Sequence, residues 1–196
     1  MSASSFHTSP IATGRSATGI PTGRLAVWWV IASEIVIFGG VLASYVMLRL
    51  KYPHWGDLAA YTNVVAGGVN TFVLLTSSLC VVLAHHYAGR GDTEKAYKFL
   101  WFTIFGGLCF LAIKSFEWTT EIGHGYTITH SLFWSFYYTA AGIHALHVIA
   151  GMVIMGIVSM DVKEGRNLHR VENIGNYWHF VDLVWIFLFP LLYIAK

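Results

Sequence analysis

The sequence predicts an all-α, polytopic membrane protein: a bundle of five transmembrane helices with the N-terminus in the cytoplasm. Three observations lead there. Charged residues make up 11% of the 196, against about 25% in a soluble domain. Hydrophobic residues make up 56%, and the mean hydropathy is +0.58. The apolar residues also gather into five stretches, each meeting the ~20 residues that carry a helix across a ~30 Å hydrocarbon core. The same figures exclude other classes. Disorder needs low hydrophobicity and high charge. A net charge of +2 offers no basic stripe to displace the counterions of a nucleic acid. A soluble globule would need more charge to cover its surface.

Residues 1–23 form a tail rich in Ser, Thr, Gly, Ala and Pro, without the apolar core of a secretory signal. They are expected to be an extended, partly ordered arm ahead of one domain, 24–196. Apolar stretches then run from Arg24 to Leu50, Asn63 to Ala88, Tyr97 to Thr119, His130 to Met160 and Tyr177 to Ala195. They are too long for strands and lack the alternation of a membrane barrel. Backbone groups in lipid must be satisfied within the segment, which leaves helices. Tyr52-Pro53-His54-Trp55-Gly56-Asp57, Gly89-Arg90-Gly91-Asp92, Gly123-His124-Gly125 and the polar segment around Gly165 separate them.

Lysine and arginine set the orientation. The tail, the second loop and the fourth loop hold Arg15, Arg24, Arg90, Lys95, Lys98, Lys163, Arg166 and Arg170. The opposite side holds Arg49, Lys51 and Lys196. The tail side is therefore cytoplasmic, or the matrix side in an organelle.

Ionisable residues inside a bilayer cost roughly 2.5–3.5 kcal/mol each near the centre on insertion scales, so each needs a partner, a cavity or a proton. Glu34 lies ten residues after Arg24, about 15 Å along a helix, among Val30, Ile31, Ile35, Val36, Ile37 and Phe38. It is either a proton-exchanging or lipid-contacting carboxyl, or a protonated acid hydrogen-bonded between helices. His144 and His147, three apart, share a helix face. They suit a metal or haem or a hydrogen-bonding pair, with His179 and Asp182 on the fifth span as complement. Lys114 and Glu117, also three apart, suit an ion pair. His85 and His86 suit interfacial anchors. Cys80 and Cys109 lie in apolar runs without zinc-ligand spacing and read as small buried hydrophobes. Trp28, Trp29, Trp101, Trp118, Trp134, Trp178 and Trp185 suggest an interfacial belt. Gly39-Gly40, Gly67-Gly68 and Gly106-Gly107 suggest close helix packing. The chain carries no nucleophile triad, phosphate loop or dinucleotide fingerprint.

From about Trp28 to Ile194 the sequence resembles subunit III of the haem–copper oxidases, most closely that of cytochrome c oxidase. The resemblance rests on five segments in order. They are Ser33-Glu34 with Val36-Ile37-Phe38; Asn70-Thr71 through Ser77-Ser78 to Ala84-His85-His86; Ser115-Phe116-Glu117-Trp118; His144-Ala145-Leu146-His147-Val148-Ile149-Ala150-Gly151; and Tyr177-Trp178-His179-Phe180-Val181-Asp182-Leu183-Val184-Trp185. The last two are specific.

The resemblance implies a helical subunit with no redox centre, catalytic residue or metal of its own, haem and copper being held by partner subunits I and II. It implies a main contact with subunit I, further contacts with subunit II and other respiratory-complex subunits, bound phospholipid, and a place in a bacterial plasma membrane. Nucleic acid is not an expected partner. Glu34 matches the family's intramembrane glutamate, associated with proton uptake and with lipid and oxygen access. Glu117, His144, His147, His179 and Asp182 match positions inside the bundle and carry over as polar-network residues. The common mitochondrial form looks like seven helices, and this chain has room for five, as in many bacterial members. Quinol-oxidase members usually have Ser-Asp at Ser33-Glu34. A protein of nitric-oxide reductase operons is also similar, and a stand-alone haem-binding membrane protein and a small transporter are rival readings.

Overall fold

A computed structural model describes residues 21–52 and 54–194. Most of the expected tail, with Arg15, lies outside the described residues, as do Pro53, Ala195 and Lys196. Five helices are long and apolar enough to cross a membrane: α1 (Thr22–Lys51), α3 (Val64–Gly89), α4 (Thr93–Gly123), α5 (Leu132–Lys163) and α6 (Arg170–Phe189). A short helix, α2 (Trp55–Ala59), follows the first span, and a π-helical turn, Pro190–Ile194, ends α6.

The spacing of buried residues explains the packing. On α1 only Ile31, Phe38 and Tyr45 are buried. They sit seven apart, so they form one narrow stripe on a helix otherwise turned outward. On α3 the buried residues are Gly67, Asn70, Leu74, Ser77, Val81, Ala84 and Ala88, alternately three and four apart. That seam lies against α4 and α6. Half of the apolar core of α6 is buried within the protein, against 11% for α1. The fifth span is thus the central post, touching α3, α5 and α1, while α1 leans on the outside against α6 and, more lightly, α5.

Small residues permit the closest approaches. A Cβ on Gly106 would stand 2.7 Å from the Cβ of Ser77, and one on Gly107 would meet Met152 and Trp178. Gly67 faces Phe189, and Gly151, which its sequence context did not mark, faces Trp178. Gly39, Gly40 and Gly68 have open space instead. Side-chain caps begin three spans: Asn63 accepts from Ala66 N–H at 3.1 Å, Asp92 from Lys95 N–H at 3.1 Å, and Ser131 from Trp134 N–H at 3.4 Å. Such caps satisfy donors that a helix leaves unpaired. Gly91 closes the turn before α4 at φ 76°, a backbone region in which a Cβ is strained.

Some boundaries differ from expectation. The last span starts at Arg170, two turns before Tyr177, because the 170s are anchored polar residues: Arg170 donates to Asp161 at 2.6 Å, and Arg24 pairs with Glu172. Hydropathy alone passes over such a turn. The tryptophans divide. Trp28, Trp29 and Trp101 are exposed, as a belt requires, but Trp134, Trp178 and Trp185 are buried. Their indoles fill the bundle core, and two of them donate hydrogen bonds across α3–α6: Trp178 Nε1 to Ser77 Oγ at 3.1 Å and Trp185 Nε1 to Thr71 Oγ1 at 3.0 Å.

Candidate functional site

Glu34 lies twelve residues into α1, about 18 Å along its axis. It is one turn from both Ile31 and Phe38 of the buried stripe, so it faces the bundle. His147 of α5 meets it, with Nε2 3.0 Å from Glu34 Oε2. The contact is close, but its alignment falls short of a regular hydrogen bond. Both side chains are largely shielded, at 15% and 20% exposure. His147 Nδ1 lies 2.8 Å from the Ile143 carbonyl oxygen. A carbonyl only accepts, so Nδ1 carries the hydrogen. Nε2 is thus the ring nitrogen turned to the Glu34 carboxyl, and the contact joins α1 to α5. Phe38 packs edge-on against the His147 ring at 5.2 Å and against Phe180 at 6.5 Å.

Beside this pair, between α1, α5 and α6, lies an open apolar cavity of about 410 Å³. Val27, Val30, Ile157 and Ile174 line its length, Tyr177 its deep end, and Arg170 and Asn173 its polar end. Tyr177 also reaches the His147 carbonyl at 3.4 Å.

A second group of polar residues occupies the bundle interior. His144 is fully buried, stacked on Trp185 at 5.3 Å and edge-on to Phe110 at 5.4 Å. Neither of its ring nitrogens is hydrogen-bonded. Asn70 is equally buried with its amide unpaired. Asp182 lies against Ser78 without a hydrogen bond of regular geometry. His179 Nδ1 is 2.6 Å from Ser78 Oγ. The shared face of His144 and His147 therefore splits: His144 turns to the aromatic core and His147 to α1. Likewise, His179 and Asp182 serve the α3 seam and do not meet the α5 histidines.

The third group is the most densely bonded. Lys114 is 2% exposed. Its ammonium donates to Glu117 Oε2 at 3.1 Å, to Tyr137 OH at 2.8 Å and to Tyr193 OH. Tyr137 OH also lies 3.0 Å from Glu117 Oε1 and 2.9 Å from Glu121 Oε1. The ammonium stands over the rings of Trp118, Trp185, Tyr137 and Tyr193, where ring quadrupoles favour a cation. Sequence spacing marked Lys114 and Glu117 and passed over Glu121. Yet Glu121 is four residues beyond Glu117, on the same face, and that was its available signal. Tyr137 and Tyr193 come from other elements and had none.

Among the described residues, no group of three or more His, Cys, Asp or Glu side chains is placed to hold a metal ion. The fold and these sites define an integral membrane bundle whose polar residues act as buried pairs and clusters across helix seams.

The comparisons give the particular family. The family model for cytochrome c oxidase subunit III matches residues 13–196. The chain is 31% identical over 167 residues to cytochrome c oxidase subunit 3 of Thermostichus vulcanus, covering 83% of this chain and 82% of the relative. It is 32% identical over 177 residues to cytochrome c oxidase subunit 3 of Bacillus subtilis, covering 87% and 84%. It is also similar, 29% identical over 183 residues, to the haem–copper oxidase subunit I+III of Aeropyrum pernix, covering 88% of this chain and 22% of that longer protein. The chain belongs to the cytochrome c oxidase subunit III family and is a subunit of a haem–copper oxidase complex.

Proposed function

We propose that this chain is a non-catalytic, non-redox subunit that packs on subunit I, holds phospholipid and keeps proton delivery fast while the complex passes electrons from cytochrome c to oxygen. Haem and copper reside in partner subunits I and II. The relative in which subunits I and III form one chain supports the contact with subunit I. The complex sits in a bacterial plasma membrane with Arg24 on the cytoplasmic side.

The observation that carries this reading is the Glu34–His147 contact at 3.0 Å. The acid and the imidazole meet at the edge of the bundle, near mid-membrane, beside an apolar groove that Val30 and Tyr177 help to line. The groove has the form of an acyl-chain site: a hydrocarbon wall with Arg170 and Asn173 at one end, where the guanidinium, already bonded to Asp161 at 2.6 Å through Nη1, keeps further N–H donors for an anionic headgroup. Of the polar-network residues, Glu117 and His179 tie neighbouring helices through hydrogen bonds, while His144 and Asp182 are buried in the same seams without one.

The test is Glu34→Gln in the intact oxidase. The variant assembles, and its turnover at alkaline pH falls faster than that of the unaltered enzyme, with earlier inactivation. Equal activity and equal inactivation rates across pH would remove the proposed role of Glu34.

A further inference from the structure

The proposed function uses the Lys114 cluster only through Glu117 as a helix contact, and the cluster's hydrogens do not add up unless one more is supplied. Lys114 directs three N–H donors at Glu117, Tyr137 and Tyr193, which exhausts an ammonium. The Tyr137 oxygen thus already accepts one bond, the Tyr193 hydroxyl at 3.1 Å can occupy its remaining lone pair, and its single hydrogen has two carboxyl oxygens to serve: Glu117 Oε1 at 3.0 Å and Glu121 Oε1 at 2.9 Å. It can satisfy only one. The other oxygen then faces Tyr137 with lone pairs opposed, unless its own carboxyl carries the hydrogen. A count of charge agrees. One ammonium and two carboxylates leave one negative charge in a site where Lys114, Glu117 and Glu121 are 2%, 3% and 5% exposed. Uncompensated charge there is strongly disfavoured.

The position of the extra hydrogen follows from the neighbours. Glu117 accepts directly from the lysine ammonium at 3.1 Å. The hydrogen-bond partners of Glu121 are tyrosine hydroxyls alone, with no direct bond to Lys114, and Tyr138 gives its hydrogen to the nearer acceptor, the Tyr126 carbonyl at 2.8 Å. The remaining titratable groups around the cluster are Tyr193 on the π turn, His144 on α5, and His124, Tyr61 and Tyr126 at the pocket described next.

A route to water is also present. A pocket of about 220 Å³ reaches both Glu117 and Glu121 between the start of α3 and the end of α4. Its walls include Asn63, Thr120 and His124, all exposed. It opens at the Lys51 end of the bundle, the outer face by the lysine and arginine distribution. Glu34 lies on a different seam, next to a cavity whose polar end is at Arg170.

We propose that Glu121, hydrogen-bonded to Tyr137 and balanced by the Lys114–Glu117 ion pair, is a second proton-binding site, exchanging with the outer aqueous phase through the Asn63–Thr120–His124 pocket. The subunit then carries two separate polar sites on different helix seams, Glu34 against α5 and Glu121 at the outer end of α4.

Infrared difference spectroscopy of the whole purified oxidase tests this between mildly acidic and alkaline pH, in H2O and D2O. The expected result is a protonated-carboxyl C=O band that persists in Glu34→Gln, shifts in D2O, disappears in Glu121→Gln and moves in frequency in Tyr137→Phe. Ala66→Phe, which fills the pocket, should slow the D2O shift severalfold. If Glu121→Gln does not assemble, Glu121→Asp must move the band instead. Absence of any carboxyl band beyond the one lost in Glu34→Gln overturns the proposal. So does a band indifferent to both Glu121 variants, or one that sodium ions abolish at constant pH, which would make the ligand a metal cation.

Discussion

Tyr45 of α1 donates its hydroxyl hydrogen to the carbonyl oxygen of Leu191 in the terminal π turn, at 2.8 Å. The tyrosine is 2% exposed, and Arg49 approaches the same hydroxyl at 3.3 Å. It fastens the most peripheral helix to the end of the most central one. Tyr45→Phe keeps the ring contacts with Trp55 and Phe136 but leaves a shielded carbonyl unpaired, a loss of about 1–3 kcal/mol. Faster proteolysis between α1 and α3 in mild detergent, with the other loops unaffected, is the expected reading. Unchanged cleavage would mean that this bond does not hold α1.

Gly106 stands where the α3–α4 seam is tightest, a built Cβ meeting Ser77 Cβ at 2.7 Å. Gly106→Ala forces the helices apart or Ser77 aside, and overpacking of this kind costs about 1–3 kcal/mol. Gly40→Ala, with nothing within 4 Å, serves as the control. Detergent unfolding should separate the two variants clearly, and equal stabilities would mean the seam is looser than described.

His144 is buried with both ring nitrogens unpaired. Replacing such a group by an apolar one of similar shape is near neutral or stabilising. His144→Phe retains the stack on Trp185, so the subunit should be at least as stable and the visible spectrum of the oxidase unaltered. A lost absorption band would instead favour the haem-binding rival.

Lys114→Met removes the cation from two buried carboxyls, a change of the kind that costs about 3–5 kcal/mol. Adding Glu117→Met removes the carboxylate this leaves behind, and most of the stability should return. Unfolding of the single and double variants measures the recovery. Equal losses in both would mean that the pair is not coupled.

Much of this was legible in the chain, for reasons that differ from place to place. The spans follow from hydropathy because lipid admits few alternatives to helices. Glu34 stands out because it is an acid among aliphatic neighbours. Its partner does not, since His147 is three spanning helices away and spacing along α5 associates it with His144. Lys114 and Glu117 share a helix face, so half of that cluster is visible, while Tyr137 and Tyr193 join it through the tertiary fold. The buried tryptophans mislead for a related reason. An indole near a span end suits a headgroup and a core seam equally, and the neighbouring helix decides between them.

The peripheral position of α1 also bears on how the molecule is made. Its fastenings at Arg24, Glu34 and Tyr45 all reach to α5, α6 or the π turn, which are synthesised last. At about 5–20 residues per second, the first span waits several seconds or more in the bilayer with its acid unmatched. It therefore enters as a lone rod and is recruited to its place only when the rest of the polypeptide emerges, so assembly proceeds from a late-formed centre outward to an early-inserted flank.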